Sequence, residues 1–215
     1  MKLIRGAGMV SSLPDSFGGY LVTRHWIPKA QSKPKGALPP RPGTALAEVR
    51  KIVIGDTGRR GLTAVDAAKD LGQAYGHFIV DDTVIIECVP ALTSSVGFVE
   101  QACFVQLKPG FNAQECAITV NLCFGGQITA KDMYGRCVAL AAFVCDRFNL
   151  DPTKDVKRAG DIDIARKDPD QALQAAGTDF QKLLNEIATK LSDAKAPAVQ
   201  PPGPADVPGR ELAHA

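Results

Sequence analysis

A chain of 215 residues, 45% apolar and 22% charged, is long enough for one domain with a substantial core. A net charge of +2 demands neither nucleic acid nor an anionic membrane as partner, and no stretch approaches the ~18 apolar residues of a membrane span. Behind Met1-Lys2-Leu3-Ile4-Arg5, the polar Ser11 and Ser12 and then Pro14 and Asp15 come too early for the core of a signal peptide, so synthesis in a cytoplasm is expected.

Residues 1–47 read as an irregular N-terminal arm, Pro-, Lys- and Gly-rich between Ile27 and Gly43, with Pro39-Pro40 favouring extended geometry. The β-branched run Val49 to Ile54 (VRKIVI), closed by Gly55, predicts a buried strand. Thr63 to Leu71 predicts a short helix with Thr63 as N-cap and Asp66 in its first turn. His77 to Val80 and Val84 to Val89, flanking Asp81-Asp82-Thr83, predict an antiparallel hairpin. Cys103 to Leu107 and Ala117 to Cys123 (AITVNLC) are further strands, the second closed by Gly125-Gly126.

From Thr129 to Phe148 the apolar residues Met133, Cys137, Leu140, Ala141, Val144 and Phe148 recur at helical spacing behind Thr129 as cap. Thr178 to Leu191 predicts a second long helix, with Thr178 and Gln181 at capping-box spacing and Phe180, Leu183, Leu184, Ile187 and Leu191 as its stripe. Both stripes read as core faces. Residues 194–215, carrying Pro197, Pro201, Pro202, Pro204 and Pro208, read as a disordered Pro/Ala-rich tail. Strands mixed with helices across 48–193 give a single α/β domain with a central sheet flanked by helices, between two Pro-rich arms.

The six cysteines form no CxxC pair and mostly sit in apolar runs, so they read as buried free thiols. Gly58 to Gly61 is not a phosphate loop, since no GxxxxGK[ST] exists, and Ser94-Ser95 lacks a GxSxG context. His25, His77 and His214 are the only histidines, a thin supply for general-base chemistry. Asp161, Asp163 and Asp168 make an acidic loop that reads as a solvated turn, with a hard-cation site as the sharper alternative.

The order of four segments resembles the type-2 N-acetylmuramoyl-L-alanine amidases, the family of phage endolysins and peptidoglycan recognition proteins. The segments are IVIGDT (Ile52 to Thr57), AYGHFIVDDTVIIECVP (Ala74 to Pro90), AITVNLC (Ala117 to Cys123) and VKRAGDIDIARKDP (Val156 to Pro169). The likeness spans Val49 to Leu191 and implies the amidase fold. Active members hold zinc through two histidines and a Cys or Asp, leaving a fourth position for the water that attacks the amide. Gly55 stands where the first histidine ends the "IVIH" strand. Ala159 stands for the second, after Arg158 of the "RH-x-D" pattern. Asp168 before Pro169 fits the third ligand, Asn121 replaces the glutamate of "IGIEL", and Ser94 and Ser95 align with "WHAG". His77 fits the "HY-V-D" strand, where a core histidine bonded to a backbone carbonyl is the plainer reading. Lys167 or Arg166 matches the family lysine that stabilises the charged intermediate.

Carried onto this chain, the resemblance implies vestigial positions Gly55, Asn121, Ala159 and Asp168 with no metal and no cofactor. The expectation is therefore a protein that is not an enzyme. It would build into a phage virion or injection assembly, contacting other subunits through its Pro-rich arms. The alternatives are a peptidoglycan-binding module, with a groove of His77, Ser94, Ser95, Asn121 and Lys167, and a residual amidase with a rebuilt site. Nucleic acid and membrane are not expected as partners.

Overall fold

The computed structural model describes residues 11–27, 41–70, 76–92, 98–102, 107–109 and 112–196. Two β-branched runs place its centre. β3 (Lys51–Asp56) and β6 (Ala117–Leu122) pair in parallel, Val53 beside Thr119, and all but Lys51 of these two strands are buried. Parallel strands covered on both faces read as continuous apolar runs. Around them lie β1 (Ser11–Ser12), β2 (Leu21–Arg24), β4 (Phe78–Val80), β5 (Ile85–Glu87) and β7 (Val156–Arg158), in the order β1-β2-β5-β4-β6-β3-β7. The β1/β2 and β4/β5 pairs are antiparallel and the others parallel, a mixed sheet. The expected hairpin is β4–β5. Its turn is built on buried Asp81, whose Oδ1 accepts from Thr83 and Val84 N–H at 2.8 Å each, while Oδ2 accepts from Ala64 N–H at 2.9 Å.

One face of the sheet is covered by α2 (Ala130–Phe148) and α6 (Phe180–Lys195). Met133, Cys137, Leu140, Ala141 and Val144 of α2, with Leu183, Leu184, Ile187 and Leu191 of α6, meet Ile52, Ile54, Ile118, Val120 and Leu122 of the sheet. The opposite face packs α1 (Ala64–Lys69) on Ile79 and Ile86 through Ala64, Ala67 and Ala68. Three short helices follow α2: α3 (Pro152–Asp155), α4 (Ala159–Ile162) and α5 (Asp170–Ala175). Five cysteines, Cys88, Cys116, Cys123, Cys137 and Cys145, are free and buried; burial pushes the Cys88 and Cys137 thiols up to about 12.

Several expectations change in detail. The N-terminal stretch is irregular only in part: Ser11–Ser12 and Leu21–Arg24 are strands, because β2 finds a parallel partner in β5 far along the chain, which local sequence cannot show. Thr63 caps α1 as expected, accepting from Asp66 N–H at 3.2 Å. Thr129 precedes α2 without a side-chain capping bond; its N–H donates to Asp82 Oδ2 at 2.8 Å. The cap of α6 is Asp179 rather than Thr178, its carboxylate accepting from Lys182 N–H at 2.9 Å. Four of the five residues of the strand expected over Cys103 to Leu107, 103–106, lie outside the described residues; Leu107 makes an isolated antiparallel bridge with Asp163. Of the expected tail, α6 takes residues through Lys195, and 197–215 lie outside the described residues. Among the described residues no helix is long and apolar enough to cross a membrane.

The N-terminal stretch is bound to the domain by a buried charge cluster. Arg41 and Glu100, 7% and 0% exposed, form a two-pronged pair, Nε–Oε2 2.6 Å and Nη2–Oε1 2.8 Å. Arg41 Nη1 also donates to Ile27 O at 2.9 Å, closing the ends of the 28–40 segment. The guanidinium carbons of Arg24 and Arg41 each lie 5.2 Å from the Trp26 ring centre, and Trp26 Nε1 donates to buried Glu87 at 3.1 Å.

Candidate functional site at the strand ends

The C-terminal ends of β3, β6 and β7 and the loops beyond them form one edge of the sheet, where α/β proteins place ligands. The loops are stitched together by backbone bonds: Thr57 N–H to Leu122 O at 3.0 Å and Gly61 N–H to Phe124 O at 2.7 Å. Gly125 holds φ +71°, and a Cβ there would lie 2.4 Å from Arg60 Cγ; only glycine lets the arginine stem cross this turn. Above it opens a cavity of about 400 Å³ lined by Arg60, Phe124, Gly125, Gln171, Gln174 and Ala175. Its exposed side chains, Arg60, Gln171 and Gln174, offer one guanidinium and two primary amides, while Phe124 is buried.

Four of the positions singled out by the amidase resemblance meet at the C-terminal end of β3. A Cβ on Gly55 would lie 2.5 Å from Lys167 O, 2.8 Å from Ala159 Cβ and 3.6 Å from Asn121 Oδ1. Four positions scattered from 55 to 167 therefore share one small volume. Asp168 turns away from it, its Oδ1 accepting from Gly160 N–H at 2.8 Å. Lys167 is exposed, its stem against Gly58. Arg158 pairs with Asp170 at 2.6 Å and lies over the Phe180 ring at 4.9 Å. Arg166 pairs with Asp163 at 3.6 Å. Asp163 is fully buried, so this part of the acidic loop is not a solvated turn.

His77 stands apart from this edge, fully buried at the start of the β4 hairpin. Its Nδ1 accepts from Thr119 N–H at 3.0 Å and its Nε2 lies 2.8 Å from Glu100 O, the arrangement of a neutral ring donating through Nε2. Burial pushes its pKa down to about 4. The unfolded chain thus binds this proton more tightly, and stability falls as pH drops below the unfolded value of 6.5. We expect urea unfolding to show a loss of about 2 kcal/mol from this group between pH 7 and pH 5, absent in His77→Gln. Ser94 and Ser95 lie outside the described residues.

The residues do not fit a zinc ion. Gly55 and Ala159 carry no donor atom, which leaves Asp168 alone of the three ligand positions, and the volume a side chain at 55 would need holds the Lys167 carbonyl. Among the described residues no group of three His, Cys, Asp or Glu side chains is placed to hold a metal. What sequence reasoning missed is Asp56, next along β3. It is 5% exposed, Oδ1 accepts from Gly58 N–H at 2.7 Å, and the carboxylate also faces the backbone N–H groups of Gln171 and Ala172 in α5. Burial raises its pKa. The groove residues Arg60, Phe124, Gln171 and Gln174 were also missed. Gly58–Gly61 and Gly125-Gly126 marked the two turns that carry the first two, but nothing local joins these to α5.

No protein-family model matches the chain, and no curated protein does. Solved structures do. The Staphylococcus aureus hydrolase AmiA, in complex with its ligand, superposes with TM-score 0.57 at 16% identity over 79% of this chain and 82% of its own. A mutant endolysin from Bacillus subtilis superposes with TM-score 0.51 at 18% identity over 80% and 97%. The catalytic domain of XlyA gives TM-score 0.52 at 18% identity over 80% and 98%. The expectation of a protein that is not an enzyme is corrected by these comparisons. The structures that share its architecture are a hydrolase, an endolysin and a catalytic domain, and the architecture does not set this chain apart from them. The mixed seven-stranded sheet with its flanking helices is the type-2 N-acetylmuramoyl-L-alanine amidase fold.

Proposed function

We propose that the chain is a peptidoglycan-directed protein whose groove over the strand ends takes a muropeptide, the sugar–peptide unit of the cell wall. The observation that carries this reading is the chemistry of the 400 Å³ cavity. Arg60 suits the carboxylates of a stem peptide, and Gln171 and Gln174 suit hydroxyl and acetamido groups. The stitched loop that carries Arg60 and the helix α5 that carries the two glutamines fix the backbone beneath these groups, which lowers the ordering cost of binding. The fold shared with a hydrolase and an endolysin supports the same substrate class.

Co-sedimentation of the full chain with purified sacculi tests it. Saturable pelleting is expected, competed by soluble muropeptide and weakened about tenfold by Arg60→Glu, which replaces a charge-assisted bond by repulsion. Bond cleavage is scored in the same tubes, from the release of L-alanine amino groups with and without chelator. Absence of pelleting at tens of micromolar protein would sink the groove reading. The reading of a subunit in a virion or injection assembly, joined through its Pro-rich ends, would then take its place.

A further inference from the structure

A second cavity, about 270 Å³, lies at the opposite end of the strands from the groove, against Glu48 and Val49 just before β3. Leu46, Leu92, Phe98 and Phe148 form apolar walls, with Glu48 and Arg147 at the rim. Phe98 is 36% exposed, which leaves an aromatic-walled pocket open at the surface. We propose that its occupant is this chain's own C-terminal segment, residues 197–208, docked as an extended Pro-rich strand.

Three observations carry this. The first is position. Lys195, the last residue of α6, pairs with Asp146 at 3.6 Å, and Asp146 immediately precedes Arg147 and Phe148 of the pocket. Two residues on a helix are about 200° of rotation, so Phe148 faces away from Asp146 across the last turn of α2. The second is reach. Crossing a helix takes about 10–12 Å. Four residues of extended Pro-rich chain supply about 12 Å, so the segment arrives with Pro201 still to come. The third is chemistry. Pro201-Pro202-Gly203-Pro204 is a P-x-x-P sequence. A polyproline II strand repeats every three residues, so Pro201 and Pro204 share one face, and such faces dock between aromatic side chains. The short tether gives the segment a millimolar effective concentration, enough for a shallow pocket to be filled from within the chain.

The test is fluorescence anisotropy of a labelled peptide of residues 197–210 against the full chain and against full-chain Pro201→Ala/Pro204→Ala. The peptide is expected to bind the proline variant about tenfold or more tightly than the unmodified chain, whose pocket is already filled. Adding Phe148→Ala to the variant is expected to abolish that binding. If Phe148→Ala fails to fold by circular dichroism, Phe98→Ala, at a more exposed wall, replaces it. Equal affinity for both chains, or binding to neither, overturns the proposal. So does a dimer of the unmodified chain in sedimentation equilibrium that the proline variant loses, since a second copy's tail would then fill the pocket. Binding of a peptide of residues 28–40 that Phe148→Ala removes would overturn it as well.

Discussion

Glu100→Ala is expected to lower the stability of the folded chain by about 3–5 kcal/mol, the cost of stranding a buried charge. Its carboxylate is fully buried and answers both prongs of the Arg41 guanidinium, at 2.6 and 2.8 Å. Removing it leaves an arginine in the interior with one remaining acceptor among these contacts, Ile27 O. Arg41→Ala strands Glu100 in the same way. The double variant Arg41→Met/Glu100→Leu is expected to be less damaged than either single change, because no uncompensated charge remains. Urea unfolding of the parent, this double variant and its matching single changes Arg41→Met and Glu100→Leu closes the cycle. Additive losses would show that the two groups do not act as a pair. The single variants should also free the ends of the 28–40 segment, read as faster proteolysis there.

Restoring the amidase histidine at position 55 is expected to damage the fold rather than to build a metal site. A Cβ on Gly55 meets the Lys167 carbonyl at 2.5 Å and the Ala159 methyl at 2.8 Å, and a backbone oxygen cannot swing aside as a side-chain tip can. Gly55→Ala should cost about 1–3 kcal/mol and Gly55→His more, since the loop carrying Lys167 and Asp168 would have to lift. Gly55→His/Ala159→His should bind zinc at well below one equivalent. A stable double variant with one tightly held zinc would show that the loop yields and that the pocket is filled only by convenience.

Much of the framework was legible because it is written locally. The VRKIVI run, the Asp81 turn between two apolar runs and the three-four spacing of Met133 to Phe148 each carry their own signal. What was not legible depends on partners far along the chain. β2 is a four-residue segment made a strand by β5, and β7 is made one by β3. The choice of Asp179 over Thr178 as cap turns on where the backbone leaves the first turn, one residue from the capping-box spacing. At the site, the ordered resemblance led to Gly55, Asn121, Ala159 and Lys167, and the structure places them within one side chain's reach. It could not lead to Arg60 or Gln174, which no motif marks. His77 has two readings, groove and core; its environment is the Glu100 carbonyl, the Thr119 amide of β6 and no solvent.

The position of β3 has a consequence for the birth of the protein. Val53 pairs with Thr119 on one side and Lys157 on the other, so this strand, paired along both edges, emerges from the ribosome before either neighbour exists. β2 likewise waits for β5. Until β6 has been made, Ile52, Val53 and Ile54 form an unpaired, β-prone apolar stretch of the kind that aggregates. Pairing of β3 therefore waits on chain that is made later, and shielding Ile52 to Ile54 during synthesis favours the yield of folded protein.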